Sequence, residues 1–391
     1  MKKMIKSILK YLKVSVIMLA STLVAIYLFD LLLAISFSRE KSSAVKHVSK
    51  CEWPWPDKSG AELDTLLIDR EWRNANYVRK NENFKEILED TLCLNNNMYQ
   101  KNGEKFFKGR LRTETYVYNK QGYRGLDWDL AVGEKKKLFI IGASTAFSFL
   151  NDEKNTIDSY LNSEFKKLNI DIKIFNAAVP GIAPLQEYLI LKDVMNNYRP
   201  DYILIINGFN SGNGVISGYD QRKVLGTVNS FSSLVDQIAK FLDKYSIFLN
   251  ISSMLVDASE KLLIRDISSV EAFKLGTNLM RENCSDNAKK CFFVLQPTVL
   301  TTNKALTESE KKIKWLWFYN KKLTFADRFD GSYFIFKDHL SKFDPYFIDA
   351  SNLAESSNYS SQEVFLDAAH LTPLGNKLLA EKIAKYMAAR L

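Results

Sequence analysis

The chain has 391 residues with 46% hydrophobic and 25% charged side chains, an ordinary globular composition that excludes a disordered or low-complexity protein. The formal net charge is +9, but residues 1–50 hold nine Lys/Arg against two acids, which leaves +2 for the remaining 341 residues. The basic excess is therefore terminal, and the body carries no nucleic-acid signature.

Lys2, Lys3, Lys6, Lys10 and Lys13 precede an apolar run, Val14–Phe37, broken only by Asp30. About 20 apolar residues cross a bilayer, and lysines ahead of the run favour a cytoplasmic amino terminus. A cleaved signal peptide has a shorter apolar region and a small-residue cleavage site, and no A-x-A pattern follows here. The expectation is a single-pass transmembrane anchor over 1–37 with the body outside the cytoplasm. Disulfides persist there. The four cysteines are Cys51, Cys93, Cys284 and Cys291; four allow three pairings, and proximity favours 51–93 with 284–291. No C-x-x-C or Cys/His cluster suggests a metal.

Residues 38–135 read as a tether and lead-in region, Pro/Trp-rich at CEWPWPDKSG and turn-rich at NKQGYRG (Asn119–Gly125). From 136 to 391 strands and helices alternate. Apolar runs predict strands at Lys137–Gly142, Ile172–Val179, Asp201–Gly208 and Cys291–Pro297, with a weaker one at Tyr346–Ile348. Helical periodicity covers 154–168, 185–198, much of 225–283, 306–329 and about 373–389. This order implies βαβ units and a parallel sheet with helices on both faces, a flavodoxin-like three-layer α/β/α domain.

Ligands of such sheets bind beyond the carboxyl ends of the strands. There the sequence places Gly142-Ala143-Ser144-Thr145, then NAAVPG ending at Gly181, then INGFN ending at Asn210. Near the carboxyl terminus FLDAAHLTPLGN supplies Asp367 and His370. A serine hydroxyl needs a base to take its proton, and histidine serves near neutral pH when a carboxylate fixes its tautomer. Asp-x-x-His spacing brings carboxylate and ring together within one turn. The backbone N–H groups of Ser144 and Gly181 and the Asn210 amide are candidate oxyanion donors.

At these four blocks the chain resembles the SGNH (GDSL-like) hydrolase superfamily, most closely its membrane-anchored bacterial members with GGST-like nucleophile blocks. The resemblance covers about residues 115–391, including LQP after the fourth strand. It implies a catalytic triad of Ser144, Asp367 and His370, an oxyanion hole of Ser144, Gly181 and Asn210, and no metal or cofactor. It also implies a serine esterase or deacylase acting on a small-molecule or glycan ester. An O-acyltransferase for a surface polysaccharide would share the first half-reaction, and a binding protein could keep the fold without the chemistry. Two positions depart from the pattern: Ala143 replaces the Asp of GDS, and Ser211 stands where an Asp often follows the block asparagine.

Three other features are weighed against this assignment. Of the remaining histidines, His47 lies beside the expected anchor and His339 has no Asp-x-x partner. Arg124, between Gly122 and Gly125, is expected to make a structural ion pair. Trp315, Trp317, Phe318 and Tyr319 sit at helical spacing that favours core packing over a sugar platform.

Overall fold

The computed structural model describes residues 115–128, 135–212, 268–287, 289–320, 324–353, 359 and 361–391, with short pieces between 84 and 107. The expected anchor, Cys51 and Cys93 lie outside the described residues. Among those described, no helix is long and apolar enough to cross a membrane.

A small antiparallel pair, β1 (Met98–Lys101) and β2 (Glu104–Phe107), precedes the main sheet. The apolar runs then form β3 (Lys136–Gly142), β4 (Ile172–Asn176), β5 (Tyr202–Asn207), β6 (Lys290–Leu295) and β7 (Phe347–Asp349). All pair in parallel in the order β4-β3-β5-β6-β7. Every residue of β5 is buried, as a central parallel strand covered on both faces must be. The order is the flavodoxin-like 2-1-3-4-5, whose switch point falls between β3 and β5.

The connecting helices are α1 (Ile157–Lys167), α2 (Pro184–Tyr198), the single turn α3 (Phe209–Gly212) and α4 (Ser269–Asp286). They are followed by α5 (Glu308–Asn320), α6 (Thr324–Ser341) and α7 (Pro373–Ala388). α1 packs against α7 and α2 against α4. Their starts are written in the sequence. Thr156 Oγ1 accepts from Ser159 N, Ser268 and Glu271 form a capping box, and Thr372 Oγ1 accepts from Gly375 N behind Pro373.

Two expected elements change. The strand predicted to Val179 stops at Asn176, whose side-chain oxygen accepts from Ala178 N and turns the chain. The single helix expected over 306–329 is two helices, and α6 continues to Ser341 through Gly331. Packing explains the extension, because Tyr333, Phe336 and Leu340 form one buried stripe and Phe336 stacks on Phe273 of α4 at 3.9 Å. Burial of that stripe outweighs the roughly 1 kcal/mol that a mid-helix glycine costs.

Residues 115–128, in the lead-in region, contribute Tyr116, Tyr118, Tyr123 and Trp128 to the same core as the sheet. With them comes Arg124, whose side chain is 0% exposed. Its Nε donates to Glu153 Oε1 at 2.9 Å, and its terminal nitrogens donate to the carbonyls of Phe147, Ser148 and Asn151. The guanidinium also lies 4.3 Å from the Tyr116 ring centre. A buried cation survives only with such full pairing. The expected structural ion pair is present, and it clamps the loop that follows β3.

Cys284 at the end of α4 is bonded to Cys291 in β6, as sequence proximity suggested. His339 is an α6 core residue; its Nε2 lies 2.9 Å from Thr277 Oγ1, and burial lowers its pKa to about 4. Trp317 packs against Phe209 at 5.4 Å, whereas Trp315 is 58% exposed.

Candidate active site

Strand β3 delivers Ser144 to the carboxyl edge of the sheet beside its switch point. Gly142 is the last β3 residue, and a Cβ there would lie 2.3 Å from the Ile206 carbonyl oxygen. Only glycine lets β5 approach so closely. The chain then folds through tight turns, with Phe147 N donating to Ala143 O and Phe149 N to Ser144 O, both at 3.0 Å. Ser148 and Leu150 take positive φ, which the Arg124 clamp helps to hold. Asn176 Nδ2 supports the same loop by donating to Ala146 O. Ser144 itself is half-buried.

Asp367 and His370 sit on a closed hairpin. Phe365 and Leu371 form an antiparallel bridge, Leu366 N donates to His370 O, and Thr372 N donates to Val364 O. Inside it, Asp367 Oδ1 accepts from Ala369 N and His370 N, each at 2.8 Å. Asp367 Oδ2 lies 2.6 Å from His370 Nδ1. A carboxylate only accepts, so Nδ1 carries the hydrogen and Nε2 keeps its lone pair, the tautomer a general base needs. Burial pushes the Asp367 carboxyl up, but the His370 ring and the His370 and Ala369 N–H groups more than offset this and hold it below the usual carboxylate range.

The neck of the hairpin is fixed by Glu310 on α5. Its Oε1 accepts from Val364 N and Phe365 N, while Oε2 accepts from Lys304 Nζ at 2.6 Å. Both side chains of this ion pair are fully buried.

Gly181 and Asn210 also come together. Gly181 has φ 74°, a conformation that suits glycine, in the turn between β4 and α2. Asn210 Nδ2 donates to the carbonyl of the next residue, Ile182, at 2.7 Å. This bond uses one of the two Asn210 amide hydrogens. The Ile182 bond supports Asn210 whatever the neighbouring Ser211 does.

The Ser144 loop meets the His370 hairpin at three points. The Phe149 and His370 rings are 4.9 Å apart, Asn151 Nδ2 donates to Leu371 O at 3.0 Å, and Thr145 Oγ1 donates to Ala369 O at 3.3 Å. No hydrogen bond joins Ser144 Oγ to His370 Nε2, which is buried without a partner. A cavity of about 610 Å³ lies elsewhere, between β4, α1 and Arg124, and none of the predicted site residues line it. Among the described residues, no group of three His, Cys, Asp or Glu side chains could hold a metal ion.

Sequence reasoning missed the supporting residues. Glu187, on the first turn of α2, is 1% exposed and accepts from Asn207 Nδ2 at the end of β5 at 3.0 Å. Burial raises its pKa to about 8 despite that bond. Gln296, just past β6, donates to Thr145 Oγ1 at 2.9 Å. The polar position after each apolar run was the available signal, and LQP contained it.

No protein family and no curated protein matches this chain. Among solved structures it is similar to the acetyl xylan esterase AlAXEase, at 10% identity over 65% of this chain and 100% of that one, with a TM-score of 0.39. It is similar to TesA at 10% identity over 66% and 100% of the two chains, again with a TM-score of 0.39. The lipase/acylhydrolase from Enterococcus faecalis has 13% identity over 66% and 97%, and a TM-score of 0.39. Such likeness transfers no residue roles.

Proposed function

We propose that the chain is a membrane-anchored, extracytoplasmic serine esterase or deacylase that acts on O-acylated carbohydrates through an acyl-serine intermediate. The observation that carries this reading is the Asp367–His370 pair, whose buried Nε2 has no partner and whose hairpin packs on the Ser144 loop. In the first step Ser144 Oγ attacks the ester carbonyl carbon and its proton passes to His370 Nε2. Collapse of the tetrahedral intermediate breaks the ester C–O bond, and His370 returns the proton to the departing alcohol. Water, deprotonated by the same nitrogen, then releases the acid and restores Ser144. The Ser144 and Gly181 N–H groups and the second Asn210 amide hydrogen are the proposed oxyanion donors.

A fluorophosphonate probe should modify Ser144, and Ser144→Ala should lose the label. Mass mapping of the labelled peptide checks this, and full labelling of the Ser144→Ala chain would place the nucleophile elsewhere.

Two observations support the proposed compartment. The Val14–Phe37 run behind five lysines is long enough to span a bilayer, and the Cys284–Cys291 bond fits an oxidising environment. Protease added to intact spheroplasts should digest residues 38–391. Complete protection would reverse the orientation.

A further inference from the structure

Thr145 and Gln296 are both almost fully buried, at 3% and 2% exposure, on the strand ends that frame Ser144. Gln296 is held on both sides of its backbone. Its N–H donates to Asn207 O at 3.0 Å, and its carbonyl accepts from Tyr333 Oη on α6 at 2.8 Å. Its side chain is thus fixed as it donates to Thr145 Oγ1, which in turn donates to the carbonyl of Ala369. Ala369 is the residue before His370, and Thr145 is the residue after Ser144. The hydroxyl therefore receives one hydrogen bond and gives one, and the direction is set because an amide nitrogen only donates and a carbonyl only accepts. Meanwhile Ser144 Oγ and His370 Nε2 share no hydrogen bond of their own.

We infer that Gln296 and Thr145 form a positioning relay that sets the separation between Ser144 Oγ and His370 Nε2. This inference rests on the serine-hydrolase reading above. With no direct bond to define the pair, the reacting atoms take their spacing from the backbones on either side. The relay ties those backbones together across three strand ends. Losing it leaves only the Asn151–Leu371 bond and the Phe149–His370 contact to hold the histidine hairpin against the Ser144 loop, and a displacement near 1 Å can cost about 10²-fold in rate. Both side chains are buried away from solvent, so the loss is expected on kcat rather than KM.

The test uses the full chain, a fluorophosphonate probe and p-nitrophenyl acetate. Thr145→Val keeps shape and removes the hydroxyl; Gln296→Met keeps length and removes the donor. Each should slow probe labelling of Ser144 and lower kcat by about 10–100-fold while KM stays within about threefold. Thr145→Ser, which restores a hydroxyl, should recover most of that loss. The double variant should be no slower than the worse single one, because both break the same chain of bonds. Unchanged labelling in both single variants overturns the relay, as do multiplying effects in the double variant or a loss confined to KM. Circular dichroism identifies any misfolded variant, and the remaining single variant with Thr145→Ser then decides. If the unmodified chain takes no label at Ser144, the hydrolase reading fails instead, and the relay fails with it.

Discussion

Asp367→Asn should lower kcat on a small acetyl ester by about 10³–10⁴ while leaving the fold intact. The asparagine oxygen can still accept from Ala369 N and His370 N, so the hairpin keeps its closing bonds. What changes is the atom opposite His370 Nδ1, now 2.6 Å from a carboxylate oxygen. An amide NH₂ there donates to Nδ1 and forces the ring hydrogen onto Nε2, where it blocks proton uptake from Ser144. In the proposed mechanism the carboxylate also stabilises the imidazolium that forms during attack, which an amide would not do. Steady-state kinetics with a thermal melt separates the two roles of Asp367. If kcat survives within tenfold while the melt is unchanged, the residue only builds the turn. In the native chain the low Asp367 pKa contributes stability that is present above the ordinary carboxylate pKa and lost as pH falls through the depressed value.

Glu187→Gln should remove a pH-dependent loss of stability. Burial holds the Glu187 carboxyl at about 8 in the folded chain, against an ordinary carboxylate value of 4.5. The folded state thus holds a proton that the unfolded state releases first. Stability is full below the unfolded value and falls as pH rises from about 4.5 to about 8, then levels off. At about 1.4 kcal/mol per unit, the loss is on the order of 4–5 kcal/mol. A small domain has only about 5–15 kcal/mol in total. Glutamine mimics the neutral acid, and its oxygen can still accept from Asn207 Nδ2. Denaturant melts at about pH 5 and pH 9 check this, since the variant should lose much less than the native chain over that interval. Equal losses would falsify the assignment of a neutral Glu187.

The residues that recur at strand ends were legible in the sequence, because apolar runs of four to eight residues bounded by Gly or Asn leave little choice of structure. Asp367 and His370 were legible together because three-residue spacing confines them to one turn. Cys284 and Cys291 were legible for the same reason, being seven positions apart. The partners that hold the site were not. Thr145 and Gln296 are 151 positions apart, and Glu310 reaches Val364 across 54. A lone threonine, glutamine or glutamate has no periodicity, and only the folded sheet brings such residues together. The continuation of α6 through Gly331 was hidden similarly, since its stripe acquires meaning only against Phe273.

The sheet ends on β4, whose outer edge pairs with no strand among the described residues. Its sequence, Ile-Lys-Ile-Phe-Asn, has the β-branched and aromatic character that recruits a further strand from a neighbouring molecule. Two features disfavour such recruitment. The strand is five residues long, and Lys173 is its second residue, so a second copy pairing there would bring like charges close together. A charge on a short edge strand is thus a physical brake on edge-to-edge pairing between copies of the chain, independent of the Ser144 site.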